Sequence, residues 1–196
     1  YEKQNFEFAI KMYEKAIELD PGFAKAYVRL SFCYLQLNWF YYDKSIDRLT
    51  KSKEAIDAAF KIDQELPDAY LALGNYYYLG FLDYTKALEN VGIAEEKLKN
   101  DPECIFLKAN IYRRAGKWSL AKENYLKAYK LDPGSAPLLH SLSVTFSLLD
   151  EYPEAEKYFK KAISLNPTFI EAYWQESFMY LKWKGNTVQA RETIAE

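Results

Sequence analysis

The chain contains one histidine and two cysteines, so few of its side chains could act as nucleophiles, general bases or metal ligands. His140 has no carboxylate or cysteine at a spacing typical of a catalytic pair, and the sequence has no glycine-rich phosphate loop and no cluster of metal ligands. The adjacent acids Glu95 and Glu96 point about 100° apart around a helix, which is typical of a solvated face. We therefore expect no enzymatic activity, no metal and no cofactor.

The composition is that of a folded protein, with 49% hydrophobic and 28% charged residues among 196. A net charge of -2 and the lack of a run of basic residues make nucleic acid a poor partner. No apolar stretch reaches the roughly 18 residues that cross a bilayer, so membrane insertion is not expected. Cys33 and Cys104 fit helical patterns as two reduced thiols, which favours a soluble, cytoplasmic protein.

One block of seven residues recurs along the chain and defines the elements that carry all other side chains. It occurs at 15–21, 127–133 and 161–167, and the last two copies lie 34 residues apart. Each block ends a longer pattern, in which a small residue is followed after four positions by an aromatic residue, after three more by alanine and after five more by proline. Steps of four and three return to one face of a helix, and proline ends it. The clearest example is Ala121, Tyr125, Ala128 and Pro133.

A second helical pattern precedes each block, with its own face of aromatic and aliphatic residues. A short turn at 115–118 separates the two patterns in the clearest copy, and Gly116 supplies the backbone freedom that such a turn needs. Two antiparallel helices therefore make one unit, and a fixed period of this length predicts an all-α stack of such units.

This arrangement resembles the tetratricopeptide repeat, and the resemblance covers essentially the whole chain. It implies a single right-handed α-solenoid of antiparallel helix pairs over residues 1–196. Because the pattern begins and ends inside a unit, we expect the chain to be part of a longer protein. The implied units are a half repeat at 1–23, repeats at 24–66, 67–101, 102–135 and 136–169, and a clipped repeat at 170–196.

The repeat at 24–66 is nine residues longer than the period. Its apolar spacing predicts one long helix over 43–63, which should project beyond its neighbours by about two turns. The aromatic run at 38–42 is expected to pack under this extension. The apolar residues that define the helix are Ile46, Leu49, Ile56 and Phe60.

The repeat at 67–101 departs from the pattern in another way. Its pattern slips by one residue near Gly80, Val91 replaces the aromatic residue, and Gly92 falls in the middle of a helix. We expect this repeat to be the least regular of the set.

In the family that the chain resembles, the first helix of each unit lines a concave face. The resemblance implies a groove that is richer in aromatic and aliphatic side chains than in charge, suited to an extended peptide or a partner helix. The residues implied to line it are Val28, Phe32, Leu71, Asn75, Tyr78, Phe106, Asn110, Arg113, His140, Val144, Trp174 and Phe178.

Asn75 and Asn110 occupy the same position in consecutive repeats. An asparagine there can bond both the N–H and the C=O of a bound main chain, or it can bond across neighbouring helices, and the sequence leaves both interpretations open. Of the side chains with which family members hold the carboxylate of chaperone tails, only the asparagine is present. We therefore do not expect a chaperone tail as ligand.

A structural role is the alternative to a binding groove. The ends of the array, the helix over 43–63 or an exposed aromatic patch could mediate self-association into a homo-oligomer. The segment at 39–63, together with 111–118, also resembles the repeat regions attached to bacterial nucleotide cyclases, Ser/Thr protein kinases and winged-helix regulators. This second resemblance implies a sensory or docking segment of a regulatory protein.

Overall fold

A computed structural model describes residues 3–185 and 187–195, and every regular element in these two ranges is helical. A π-helical turn, Tyr76–Gly80, continues the fourth helix. The α-helices of these ranges are α1 (Lys3–Leu19), α2 (Ala24–Trp39), α3 (Ile46–Ile62), α4 (Pro67–Asn75), α5 (Tyr84–Lys97), α6 (Pro102–Arg114), α7 (Trp118–Leu131), α8 (Ala136–Leu148), α9 (Tyr152–Leu165), α10 (Ile170–Lys184) and α11 (Thr187–Ala195).

The helices pack as hairpins, α2 with α3, α4 with α5, α6 with α7, α8 with α9, and α10 with α11. Short turns join the helices of each hairpin. In the turn between α6 and α7, Gly116 has a φ of 74°, in the left-handed region that favours glycine. The predicted all-α fold of antiparallel helix pairs is therefore confirmed.

The chain forms two compact units, Tyr1–Lys99 with α1 to α5 and Asn100–Glu196 with α6 to α11, called here the first and the second unit. In the second unit the predicted small and aromatic residues are fully buried, and they pack around α8 residues such as Leu142. These positions of the repeat pattern are thus core, where close packing leaves no room for a ligand. That both units form one domain stays a prediction. The buried residues of the pattern in this unit are Ala121, Tyr125, Ala128, Ala155, Phe159 and Ala162.

The nine extra residues of the repeat at 24–66 do not form a projecting helix. Helix α3 begins at Ile46 rather than at 43 and has 17 residues, against 14 in α7 and α9. Helix α2 has 16 residues against 13 in α6 and α8. The insertion therefore lengthens both helices of the hairpin, and it also lengthens the turn between them. The predicted two-turn projection was wrong, because paired helices that lengthen equally keep each other covered.

Asp43 explains why α3 starts late. Its carboxylate accepts a hydrogen bond from the backbone N–H of Ser45 at 3.0 Å and another from Nε of Arg48 at 2.6 Å. Hydrogen bonds from Ser45 and Arg48 hold the pKa of this carboxyl well below its usual range. The charged turn therefore competes with helix formation before Ile46.

The aromatic run at 38–42 also packs differently from the prediction. Phe40 stacks on Phe6 of α1 with ring centroids 6.1 Å apart, and Trp39 stacks on Tyr78 at 6.4 Å. The run therefore joins α1 and the π-helical turn to α2, and because α3 has no projecting extension the predicted packing under one does not arise.

The predicted irregularity near Gly80 is the π-helical turn itself. A π turn holds one more residue than an α turn, so it absorbs the extra residue of the repeat at 67–101 without changing the hairpin. In the same repeat, a Cβ at Gly74 would lie 2.8 Å from Cγ2 of Val91. The helices approach so closely there that valine fills the place of the aromatic residue.

No helix in the described ranges is long and apolar enough to span a bilayer. Both cysteines are buried free thiols. Burial raises the pKa of the Cys33 thiol to about 11.

Candidate functional site

The first unit buries most of the residues that were predicted to line a groove. Val28, Leu71 and Tyr78 are buried, whereas Phe32 is exposed. Tyr78 lies in the π-helical turn, which directs its ring toward Trp39 and Tyr84. Of these positions, only Phe32 offers a broad apolar surface to a ligand.

The two asparagines of the predicted pair make different hydrogen bonds. Nδ2 of Asn75 donates to the carbonyl oxygen of Leu71 in its own helix at 3.3 Å. Oδ1 of Asn110 accepts from the hydroxyl of Tyr125 at 2.7 Å, which ties α6 to α7. Asn110 therefore makes the bond across helices that was one of its two interpretations.

Tyr125 connects Asn110 to a charged residue of the predicted groove. Its hydroxyl also accepts a hydrogen bond from Nε of Arg113 at 3.2 Å. Burial raises the pKa of Tyr125, so the hydroxyl stays protonated and remains a donor to Asn110. The network fixes the guanidinium of Arg113 at the end of α6, and the sequence pattern did not indicate this role for Tyr125.

His140 lies on α8 between two aromatic rings of the second unit. Its ring centroid is 5.0 Å from that of Phe169 and 6.1 Å from that of Phe159. Nε2 is buried and has no hydrogen-bond partner among the described residues. Burial, with a smaller contribution from the charge of Arg113, lowers the pKa of His140 from 6.5 to about 4, while Glu171 opposes the shift. At neutral pH the imidazole is uncharged and a weak base.

The most exposed apolar surface among the predicted residues lies on α10. Ile170, Trp174, Phe178 and Leu181, called here the α10 stripe, follow one another at steps of four, four and three, so they share a helix face. Their side chains are 41% to 65% exposed, and the rings of Trp174 and Phe178 lie 6.2 Å apart. Ile170 and Leu181 were not among the predicted site residues, although their spacings of four from Trp174 and three from Phe178 could have indicated them.

The other predicted residues of the second unit are partly covered. Phe106 packs against the ring of Tyr125 with centroids 5.9 Å apart. Val144 packs at the edge of the core around Leu142. The structure therefore brings together a fixed arginine on α6, a neutral histidine on α8 and an exposed aromatic stripe on α10. The membership of these residues in one binding groove stays a prediction.

Two protein-family models match the sequence, and both are described as tetratricopeptide repeat. One matches residues 12–46, and the other matches residues 102–135 and 136–169. The two ranges matched by the second model coincide with two of the units that the repeat pattern predicted.

Solved structures of several proteins resemble the fold. Human IFIT1, solved as a dimer with m7Gppp-AAAA, superposes with a TM-score of 0.81 at 20% identity, over 98% of this chain and 46% of IFIT1. PilF of Pseudomonas aeruginosa gives a TM-score of 0.71 at 18% identity, over 88% of this chain and 75% of PilF. YrrB, a TPR protein with an unusual peptide-binding site, gives 0.61 at 16% identity, over 93% and 90%. The chain thus spans less than half of IFIT1, and these likenesses concern the fold alone.

Proposed function

Because the chain belongs to the tetratricopeptide repeat family, we propose that it is a binding module whose second unit takes up an extended peptide or a helix of another protein. Repeat solenoids present extended surfaces to their partners, and the family relation supports protein or ligand binding in general. Because one fold serves many functions, the choice of partner must be argued from this chain's own surface.

The α10 stripe is the observation that carries the proposal. Monomeric proteins seldom leave large apolar side chains together on their surface unless they bind something there. Trp174 and Phe178 are each more than half exposed and adjacent. Tryptophan is enriched among the residues that dominate binding energy, because its ring buries much area at little entropic cost.

Polar groups near the stripe would orient a bound chain. His140 of α8 reaches Phe169, the residue directly before α10, and the charges of Arg113 and Glu171 both act on its ring. The guanidinium of Arg113 can donate to a carbonyl or a carboxylate of a ligand, while the stripe covers the ligand's apolar side chains. This combination suits a peptide with alternating apolar and polar groups.

A protein partner is favoured over nucleic acid. The similarity to IFIT1 raises the question whether this chain binds nucleic acid, since IFIT1 was solved with m7Gppp-AAAA. Nucleic-acid affinity depends mainly on lysine and arginine contacts to phosphates, whereas this chain has a net charge of -2 and its most exposed groove residues are apolar. We expect no binding of m7Gppp-AAAA at physiological salt.

We further propose that the module performs no catalysis. The sequence has one histidine, His140. Its lowered pKa and its packing between aromatic rings make it a poor general base at neutral pH. Binding alone would suit a docking segment of a larger regulatory protein. The buried free thiols of Cys33 and Cys104 support a cytoplasmic setting.

A peptide selection tests the proposed function. Random peptides displayed on phage are selected on the wild-type chain, and the dissociation constants of the enriched peptides are measured by fluorescence anisotropy. We expect the double variant Trp174→Ala, Phe178→Ala to weaken binding by at least about 30-fold, the effect of one strong interface residue.

The matched control changes apolar residues of similar exposure outside the groove. Leu120 and Leu131 of α7 are 44% and 46% exposed, so Leu120→Ala with Leu131→Ala removes a comparable surface. This control should bind the peptides as the wild type does. Equal weakening by both double variants, or selection of no peptide at all, would speak against the proposed function.

A further inference from the structure

A cavity of about 300 Å³ lies between α2 and α3 in the first unit. This volume is at the lower end of the range known for ligand pockets. The walls are mainly apolar, with Leu30 and Ala55 both buried. The ring of Tyr34 forms another wall, and its hydroxyl donates a hydrogen bond to a carboxylate oxygen of Glu14 in α1 at 2.9 Å. The cavity is therefore built from side chains that are already held in place.

The repeat pattern indicates which side chain the cavity lacks. Helices α3 and α9 each bury three fully covered residues at steps of four and three, so the two helices can be compared position by position. Ala55 stands directly before Ile56, as Tyr158 stands directly before Phe159. Alanine in α3 therefore takes the place of a tyrosine in α9. The buried residues compared are Ser52, Ile56 and Ala59 in α3, and Ala155, Phe159 and Ala162 in α9.

Tyr158 fills the corresponding place in the second unit. Its ring stacks on that of Phe146 in α8, with the centroids 5.4 Å apart and the planes 3° from parallel. It also meets the ring of Tyr129 in α7 edge-on at 5.6 Å. Such ring contacts contribute beyond the apolar area that they bury.

The first unit has counterparts of both neighbours of this ring. Tyr34 corresponds to Phe146, since each is the eleventh residue of its helix. Ile17 corresponds to Tyr129, since each follows the alanine of the recurring block. The ring from α9 has no counterpart, because the side chain of Ala55 is a single methyl group.

Every helix that the repeat pattern places around this cavity is part of the described chain. The ring of Tyr158 belongs to α9 and contacts α7 and α8, and the corresponding helices are α3, α1 and α2. Helix α1 is in contact with the cavity wall, because Glu14 bonds Tyr34. The pattern has no further helix to fill the space, so a ring that fills it comes from another molecule.

We propose that the cavity binds the phenol ring of a tyrosine side chain from a partner protein. The ring packs against Tyr34 as Tyr158 packs against Phe146. This site lies in the first unit and includes no residue of the α10 stripe, so it is separate from the proposed groove.

The charges at the opening fit a phenol. Lys51 and Glu54 both line the cavity and are exposed, and Lys51 is paired with Asp47 at 2.9 Å. Glu54 can accept a hydrogen bond from the hydroxyl of the bound ring, whereas it would repel a carboxylate. A tyrosine in a protein is favoured over a free phenol, because exposed groups at the opening can also bond the main chain that carries the ring.

NMR titration of the wild-type chain with p-cresol, which is the tyrosine side chain without its backbone, tests the proposal. We expect the amide signals of residues 27–34 and 51–58 to shift, with a dissociation constant of about 1 mM for so small a ligand. The peptide Gly-Tyr-Gly should bind at least as tightly, and Gly-Ala-Gly should not shift these signals.

Substitutions that fill or open the cavity give the matched comparison. Ala55→Tyr should supply the missing ring from the chain itself and weaken both ligands by at least about 10-fold. Ala55→Leu should weaken them too, and it serves if the tyrosine overpacks the helices. The control Thr50→Tyr places the same ring on the exposed side of α3 and should bind as the wild type does. Tyr158→Ala should open a second cavity, so that p-cresol also shifts signals within 129–162.

Three results would overturn the proposal. The signals of residues 27–34 and 51–58 could stay unchanged at about 10 mM p-cresol, ten times the expected dissociation constant. Folded Ala55→Tyr or Ala55→Leu, checked by circular dichroism, could bind as tightly as the wild type. Binding of p-cresol without binding of Gly-Tyr-Gly would show a pocket for free phenols and would contradict a protein partner.

Discussion

Protonation of His140 should destabilise the second unit. Burial and the charge of Arg113 lower its pKa from 6.5 to about 4 in the folded chain. Above pH 6.5 the ring is neutral in both states, so it adds no pH dependence. Between pH 6.5 and 4 the unfolded chain takes up a proton that the folded chain does not, so the free energy of unfolding falls as the pH falls. Below pH 4 both states are protonated and the effect levels off.

The expected size of this effect follows from the shift. One pKa unit corresponds to about 1.4 kcal/mol, so a change from 6.5 to about 4 gives a loss of about 3 kcal/mol across the window. That is a large fraction of the stability of a small domain. The cause of the loss is the burial of Nε2 between the rings of Phe159 and Phe169, where water does not hydrate a protonated imidazole.

Urea unfolding of the wild type and of His140→Leu at pH 7, 6, 5 and 4 measures the effect. Carboxylates also titrate in this window, so the informative quantity is the difference between the two pH profiles. The chain has one histidine, so its ring C–H resonance gives the pKa directly by NMR. A titration midpoint near 6.5, or the same pH slope in His140→Leu as in the wild type, would refute the reasoning.

Three further substitutions test the packing. A Cβ at Gly92 would have no heavy atom within 4 Å, so Gly92→Ala should stabilise α5 by about 1 kcal/mol, measured as an upward shift in melting temperature. Gly74→Ala should destabilise by about 1–3 kcal/mol in urea unfolding, because the new methyl would lie 2.8 Å from Val91; a neutral result would mean that α4 and α5 separate easily. Tyr125→Phe removes the hydroxyl that bonds Asn110 and should cost about 1–2 kcal/mol, and an unchanged unfolding midpoint would show that the network is not stabilising.

Residue spacing predicted the helix pairs because the physical constraints on them are local. Small and aromatic residues at steps of four and three define one helix face, and proline or glycine ends the helix. The positions of Ala121, Tyr125 and Gly116 in the structure follow from these rules alone. The same local rules indicated that the repeat containing Gly80 would be irregular.

The predictions that failed depended on contacts between elements. A nine-residue insertion can lengthen one helix or be shared by two, and only the packing of α2 on α3 decides between these outcomes. The π turn directs Tyr78 toward Trp39, although the resemblance implied that this position lines a groove. Whether Asn110 faces a ligand or Tyr125 also depends on the neighbouring helix.

The exposure of the predicted groove could not be derived from the pattern either. Repeat position is the same for Leu71 and Trp174, but the first side chain is buried and the second is about half exposed. The exposure of such a position depends on whether a neighbouring helix covers it, and the repeat pattern carries no information about that.

The central claim is that a partner binds across α10 beside α6 and α8, and mapping the contacts of a selected peptide tests it most directly. A peptide carrying a photoreactive phenylalanine analogue is cross-linked to the wild-type chain, and the modified residues are identified by mass spectrometry. The account predicts cross-links within 170–181 and on α6 or α8. Cross-links confined to the first unit, or to the α7 surface around Leu120 and Leu131, would contradict it.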